Sequence, residues 1–189
     1  MKTKTFHMMR HGEPEIAGLL LGITDMASMA VGNCACVARA EELEISELIS
    51  SDLARATVPA QEIAVRHNAP LKIDARWREL DFGAWDGMSP AIVDASALHA
   101  FWDDPTANPP PKGESWSVLS ARVEAALLDI SHGTLVVAHA GSIRAALCHL
   151  LGLSYRQAWA FHLPYAALVS LKIWTGQDVP TAQITGLRT

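Results

Sequence analysis

The sequence predicts a three-layer α/β/α sandwich around a mostly parallel central sheet, and three observations predict it. Leu135 to Ala138 is a run of four apolar residues bounded by Gly133 and His139. Its brevity and lack of polar alternation fit a strand covered on both faces, as in a parallel sheet between helix layers. A second short apolar run, Thr5 to Met9, leads to His11, just as the first leads to His139. Helical segments, with apolar residues three and four apart, flank the Leu135 to Ala138 run, and another covers Ala54 to Val65.

Taken in order, Thr5 to Met9 reads as a buried first strand that stops at Arg10-His11-Gly12-Glu13, with Pro14 closing the turn. From Ala54 to Val65, the positions Ala56, Ala60, Ile63 and Ala64 share a helical face, and Ser50-Ser51-Asp52 precede them as capping material. Arg55 is thereby placed in a first helical turn. Pro59 is awkward there, though an early position would limit the damage, because few amide hydrogens have intrahelical partners yet. Pro109, Pro110 and Pro111 read as a stiff connection, and the sequence leaves open whether residues 88–111 close as a lid. Between about Ser115 and His132, Leu119, Val123, Ala126, Leu127 and Ile130 trace a further helical face, with Gly133 as its stop. After the second strand and His139, a helix near Ser142 carries Ile143, Ala146, Leu147, Leu150 and Leu151 on one side and closes at Gly152. Ala166 to Trp174 fits another strand, and Ala182 to Leu187 a short edge piece.

Length and charge narrow the function. A chain of 189 residues, half of them hydrophobic, suits one domain spanning 1–189. With a net charge of −5 and no block of like charges, there is no basis for attraction to nucleic acid or to an anionic membrane. An anionic ligand has to be caught locally. No apolar run reaches the length of a membrane span. Three cysteines, Cys34, Cys36 and Cys148, and no leader-like stretch at the start give the expectation of a reduced, cytoplasmic protein. The sequence does not set the oligomeric state.

The chemistry rests on a set of residues rather than on any one. Arg10-His11-Gly12-Glu13 follows a strand, Arg55 opens a helix, Glu79 lies in Arg78-Glu79-Leu80-Asp81-Phe82-Gly83, and His139-Ala140-Gly141 follows a second strand. In open α/β sheets, ligands bind at such carboxyl edges. On these blocks, together with "GITD" at 22–25, "SSDLARA" from Ser50 and "HAGSIRAAL" from His139, the chain resembles the histidine phosphatase superfamily over nearly its whole length. The resemblance implies a phosphoglycerate mutase-like fold and metal-independent hydrolysis of a small phosphomonoester, with no cofactor and no bound metal. It places the nucleophile on His11, phosphate clamps on Arg10 and Arg55, the proton donor on Glu79 and a second phosphate-pocket histidine on His139. Substrate contacts fall on Thr24, Ala140 and Gly141. The chain departs from the family pattern at Pro14 and Ala17, which bear on substrate contacts, and at Met29, Pro59 and Ala140, which read as structural.

Elementary chemistry gives the same roles. Spreading charge over the equatorial oxygens of a transferring phosphoryl group calls for fixed cations, and arginine offers a planar fork of donors that is always charged. Imidazole attacks through an unprotonated ring nitrogen, so a neighbouring carbonyl should hold the proton on the other. The leaving alcohol needs a proton, which a carboxylic acid in reach can give and later recover from water. Glu79 fits that part, with a salt bridge to Arg76 or Arg78 as its ordinary reading and Asp81 as the fallback acid. His139 would add a third positive donor if the facing phosphate favours its charged form.

Other chemistries lack their motifs. There is no HExxH, no paired CxxC, no GxSxG and no GxxxxGK, and no cysteine has an arginine six residues on. The six tryptophans read as packing residues, or as walls of a pocket for a flat substrate. Among phosphoesters, "RHGEP", "GITD", "RELDFGAWDG" and "PPKGESW" most resemble α-ribazole-5′-phosphate phosphatases. A broad sugar or glycerate phosphatase, a phosphoglycerate mutase, and a phosphate-binding interaction module on the same scaffold are the alternatives.

Overall fold

The computed structural model describes residues 2–175 and 181–189. Six strands form one sheet: β1 (Lys2–Arg10), β2 (Glu47–Ser50), β3 (Leu71–Ile73), β4 (Thr134–Ala138), β5 (Leu168–Thr175) and β6 (Thr181–Arg188). Their order is β3-β2-β4-β1-β5-β6, parallel from β3 to β1 and antiparallel for β1-β5 and β5-β6. Among the described residues, the α-helices are α1 (Ala30–Ala40), α2 (Ala54–His67), α3 (Ala95–Asp103), α4 (Trp116–Leu127), α5 (Ala140–Leu151) and α6 (Tyr155–Ala158), with short 3-10 turns between β3 and α3.

Alternation along each strand builds the two outer layers. Met9, Leu48, Leu135, Val137 and Leu168 face α1 and α2, packing on Cys36, Val37, Ala56, Ala60 and Ile63. Phe6, Met8, Ile49, Val136 and Val169 face the other way, onto Leu119, Val123, Ile143 and Leu147 of α4 and α5. All five residues of β4 are buried, as its unbroken apolar run predicts. Cys36 donates its thiol to the Arg10 carbonyl at 3.7 Å, and burial pushes that thiol up to about 12, so it packs rather than reacts.

The register of the parallel strands sets up the site. Arg10 is level with Ala138, and Ser50 with Val137, so His11, His139 and the approach to α2 emerge together at one edge of the sheet. The ladder continues one step further, with the His11 amide donating to the Ala138 carbonyl at 2.9 Å.

Three local expectations are corrected. The cap of α2 is not Ser50-Ser51-Asp52 but Asp25, whose Oδ1 accepts the Ala54 amide at 2.6 Å from another loop. Asp52 instead pairs with Arg78. Pro59 is the sixth residue of α2, where an amide would already bond the fourth residue back. The carbonyl it cannot serve, that of Arg55, accepts the Ser28 hydroxyl at 3.2 Å instead. Finally, α4 ends at Leu127, and bonds spanning three residues close its last turn at Asp129 and Ile130. Ile130 is still buried, so apolar spacing outruns the helix, and Gly133, at φ 77°, serves the turn into β4. The last of the α/β helices, α5, starts at Ala140, two residues ahead of Ser142, and Gly152 closes it in the left-handed region as expected.

Candidate active site

His11 is clamped on both sides of its backbone, since its carbonyl also accepts the Ala166 amide at 3.1 Å. Its ring is 5 % exposed, and Nδ1 lies 2.6 Å from the Gly12 carbonyl. A carbonyl only accepts, so Nδ1 carries the proton and Nε2 keeps its lone pair. That carbonyl lies 3.0 Å from the Ser28 hydroxyl, whose one hydrogen is shared between it and the Arg55 carbonyl. Gly12 is a glycine for a steric reason: a side chain there would run into the Gly32 backbone at the start of α1.

Arg55 is fully buried and its guanidinium is held by carbonyls, Nη1 to Thr24 at 2.8 Å and Nη2 to Gly22 at 2.7 Å and Leu21 at 3.1 Å. Its Nε donates to His139 Nδ1 at 3.3 Å. An arginine only donates, so His139 Nδ1 is the acceptor and Nε2 carries the proton, facing Ser51 Oγ at 2.9 Å. The rings of His11 and His139 are 5.0 Å apart. Burial first, then the Arg10 and Arg55 charges, hold His11 well below the ordinary histidine range. His139 is held well below it too, by burial and then by Arg55 and His11. Both rings are therefore neutral at pH 7.

Arg10 anchors through Nη1 to the Leu163 carbonyl at 2.7 Å and lies 4.0 Å over the Tyr165 ring. Glu79 is half-buried, with Oε1 accepting the Leu80 amide at 2.9 Å and Oε2 the Gly141 amide at 3.0 Å. It makes no ion pair with Arg76 or Arg78, which bind Asp74, Asp129 and Asp52 instead. Glu79 is nevertheless the carboxylate that acts electrostatically on Arg10, Arg55 and Arg144 together. Asp25 and Asp86 act on Arg55 as well, whereas Glu79 is the carboxylate common to all three arginines.

The five central residues named from sequence, Arg10, His11, Arg55, Glu79 and His139, thus converge. Gly141 and Ala140 meet them at the amino end of α5, where the Gly141 amide is taken by Glu79 and the helix dipole favours an anion. Thr24 is a different case. Its hydroxyl and amide bind Asp86 at 2.8 and 2.7 Å and its carbonyl binds Arg55, so it sits at the rim and supports the guanidinium. Asp81 turns away, accepting the Gly83 amide at 2.8 Å. Sequence reasoning missed Ser51, Asp86, Tyr165, Arg122 and Arg144. Arg122 Nη2 holds the Glu79 carbonyl at 2.8 Å and its Nε the Glu114 carboxylate at 2.8 Å. Ser51 and Arg144 lie inside the quoted blocks "SSDLARA" and "HAGSIRAAL", which is the signal that could have found them.

Fold and site together define an α/β protein with two histidines, three arginines and a carboxylate gathered at the carboxyl edge of its parallel strands. The chain belongs to the histidine phosphatase superfamily, whose branch 1 model matches residues 6–183. It is similar to the glucosyl-3-phosphoglycerate phosphatase of Mycolicibacterium vanbaalenii, 31% identical over 172 residues covering 81% of this chain and 76% of the relative. The native structure of a mycobacterial glucosyl-3-phosphoglycerate phosphatase superposes with a TM-score of 0.87 at 25% identity, over 97% of this chain and 98% of that one. A putative α-ribazole-5′-phosphate phosphatase from Escherichia coli shares the fold, with a TM-score of 0.82 at 22% identity over 97% and 96% of the two chains. Among the described residues, no helix is long and apolar enough to cross a membrane.

Proposed function

We propose that residues 1–189 form one catalytic domain that hydrolyses a small phosphomonoester through a phosphohistidine on His11. The observation that carries this reading is the 2.6 Å contact between His11 Nδ1 and the Gly12 carbonyl. It pins the proton on one nitrogen and leaves the other as a nucleophile inside a cationic pocket.

In the first step, the His11 Nε2 lone pair forms a bond to phosphorus while the ester P–O bond breaks, and Glu79, entering the step as the carboxylic acid, gives its proton to the departing alkoxide. Arg10 and Arg55, with the amino end of the α5 dipole, stabilise the equatorial oxygens, where charge is spread in the transition state. His139 stays neutral, because its one free ring nitrogen accepts from Arg55 Nε, and it acts by holding that guanidinium in place. In the second step, the Glu79 carboxylate takes a proton from water, the new hydroxyl bonds to phosphorus, and the N–P bond breaks to release phosphate and restore neutral His11. The backbone amides on both Glu79 oxygens fix the direction of the carboxyl without blocking its remaining lone pairs.

The substrate class stays open between sugar or glycerate phosphates, as in the named relative, and α-ribazole 5′-phosphate. Transfer between glycerate carbons, a mutase outcome, would show itself only when the enzyme is primed with a bisphosphate. The test is hydrolysis of a chromogenic phosphomonoester in the presence of chelator by wild type, His11→Ala and Glu79→Gln. Turnover that survives chelation, vanishes in His11→Ala, and in Glu79→Gln falls far more for alkyl than for aryl esters supports the proposal. Absence of any phosphomonoester turnover returns the chain to a binding module, and equal loss on both ester types removes Glu79 from the acid role.

A further inference from the structure

A second feature adjoins the site on the Glu79 side. A pocket of about 100 Å³ has Glu79, Ala140 and Gly141 on its inner wall and Trp102, Trp116, Tyr155 and Trp159 on its outer walls. The rings meet edge to face, Trp102 with Trp159 at 5.6 Å and 90°, and Trp116 with Tyr155 at 4.9 Å and 64°. Its size approaches that of engineered apolar cavities of about 150 Å³ that admit benzene.

The pocket's chemistry is selective. Glu79 and Arg144 are the charged residues among its described walls, and no serine, threonine, asparagine or glutamine joins them. A sugar or glycerate placed there would lose its water without gaining partners for most of its hydroxyls, which costs free energy for each group. A flat apolar ring loses nothing comparable and packs against aromatic walls. Two polar atoms unpartnered among the described residues line it, the Tyr155 hydroxyl and Arg144 Nε. Arg144 is 8 % exposed and stacks 4.1 Å over the Trp159 ring, its Nη atoms reach only carbonyls at 3.4 Å, and its Nε has no partner among the described residues.

Glu79 is shared between this pocket and the His11 cluster, so the group seated here is the one that Glu79 protonates: the alcohol part of the substrate. We infer that the enzyme's preferred phosphomonoesters carry a flat aromatic alcohol moiety that fills the tryptophan-walled pocket, with a polar edge facing Arg144 and the Tyr155 hydroxyl. This rests on the phosphomonoesterase reading and narrows its substrate class.

The test compares kcat/KM for 2-phenylethyl phosphate, glycerol 3-phosphate and 3-phosphoglycerate, three alkyl esters that make similar demands on the acid. Burying one phenyl ring predicts a preference for the phenylethyl ester on the order of 30-fold. Trp159→Ala, trimming a ring that is 47 % exposed and outside the core, should cut the phenylethyl-to-glycerol ratio about fivefold or more. A ratio measured within one variant is insensitive to the fraction folded. Equal or better turnover of the glycerol or glycerate ester, or a ratio unmoved by Trp159→Ala, overturns this inference while leaving the phosphatase reading intact. No turnover of any ester, with wild type matching His11→Ala, overturns the phosphatase reading itself.

Discussion

Glu79 occupies the space that a side chain on Gly141 would need: a Cβ there would overlap Oε1. The same glycine donates its amide to Oε2, so it both makes room for the carboxylate and aims it. Gly141→Ala should therefore leave the fold intact, because the clash is with the far end of a half-buried side chain, yet lower kcat on alkyl phosphates by about 100-fold or more, as loss of a general acid does. Steady-state kinetics with a thermal melt checks it; unchanged kcat would mean that the Glu79 position does not matter. At this scale the sequence was most legible where chemistry demands rare residue types together, at Arg10, His11, Arg55, Glu79 and His139. It was silent on Tyr165, an ordinary residue whose role comes from being carried across the sheet edge to Arg10. Thr24 was legible as a member of the site, but its tie to Asp86, 62 residues away, was not.

The loop from Gly12 to Met29 and the first turns of α2 work as one element through Ser28. Its hydroxyl lies within reach of the Gly12 carbonyl, which fixes the His11 proton, and of the Arg55 carbonyl, which Pro59 leaves without an amide. Ser28→Ala should destabilise the protein by about 1–3 kcal/mol, the cost of a buried acceptor left unmet, and lower activity by loosening the His11 tautomer. Adding Pro59→Ala supplies an amide to Arg55 and should recover part of the stability but not the activity. Urea midpoints and kcat on the single and double variants check this, and a Ser28→Ala midpoint equal to wild type contradicts it. Element types were legible where burial is one-sided or complete, as in β4 and α5. They were not legible for α1, an alanine-, glycine- and cysteine-rich stretch, nor at the end of α4, where Ile130 stays in the core after the helix has stopped. The Asp25 cap of α2 is a long-range contact that no local pattern encodes.

For the molecule as a whole, the cost of building a cationic pocket appears in its pH dependence. Burial and the arginine charges hold His11 and His139 below the ordinary histidine value near 6.5. The unfolded chain therefore takes up protons that the fold refuses, so stability is retained above about pH 6.5 and lost as pH falls below it. The slope is about 1.4 kcal/mol per pH unit for each ring. Urea midpoints should be level from pH 7.5 to 6.5 and fall clearly by pH 5.5; a level midpoint down to pH 5 would contradict neutral, buried rings. The sandwich and its parallel strands were readable from two apolar runs, whereas the antiparallel pairing of β5 with β1 was not, because the sequence of a strand does not name its neighbour. All of this arrangement exists, on the present account, to let one histidine carry a phosphoryl group. The direct measurement is rapid quenching of wild-type and Glu79→Gln enzyme during turnover of an aryl phosphate, followed by peptide mapping under alkaline conditions. The account predicts an added phosphoryl group on His11, enriched in Glu79→Gln and chased by water. Turnover with no phosphorylated His11, or with phosphate on another residue, would contradict it.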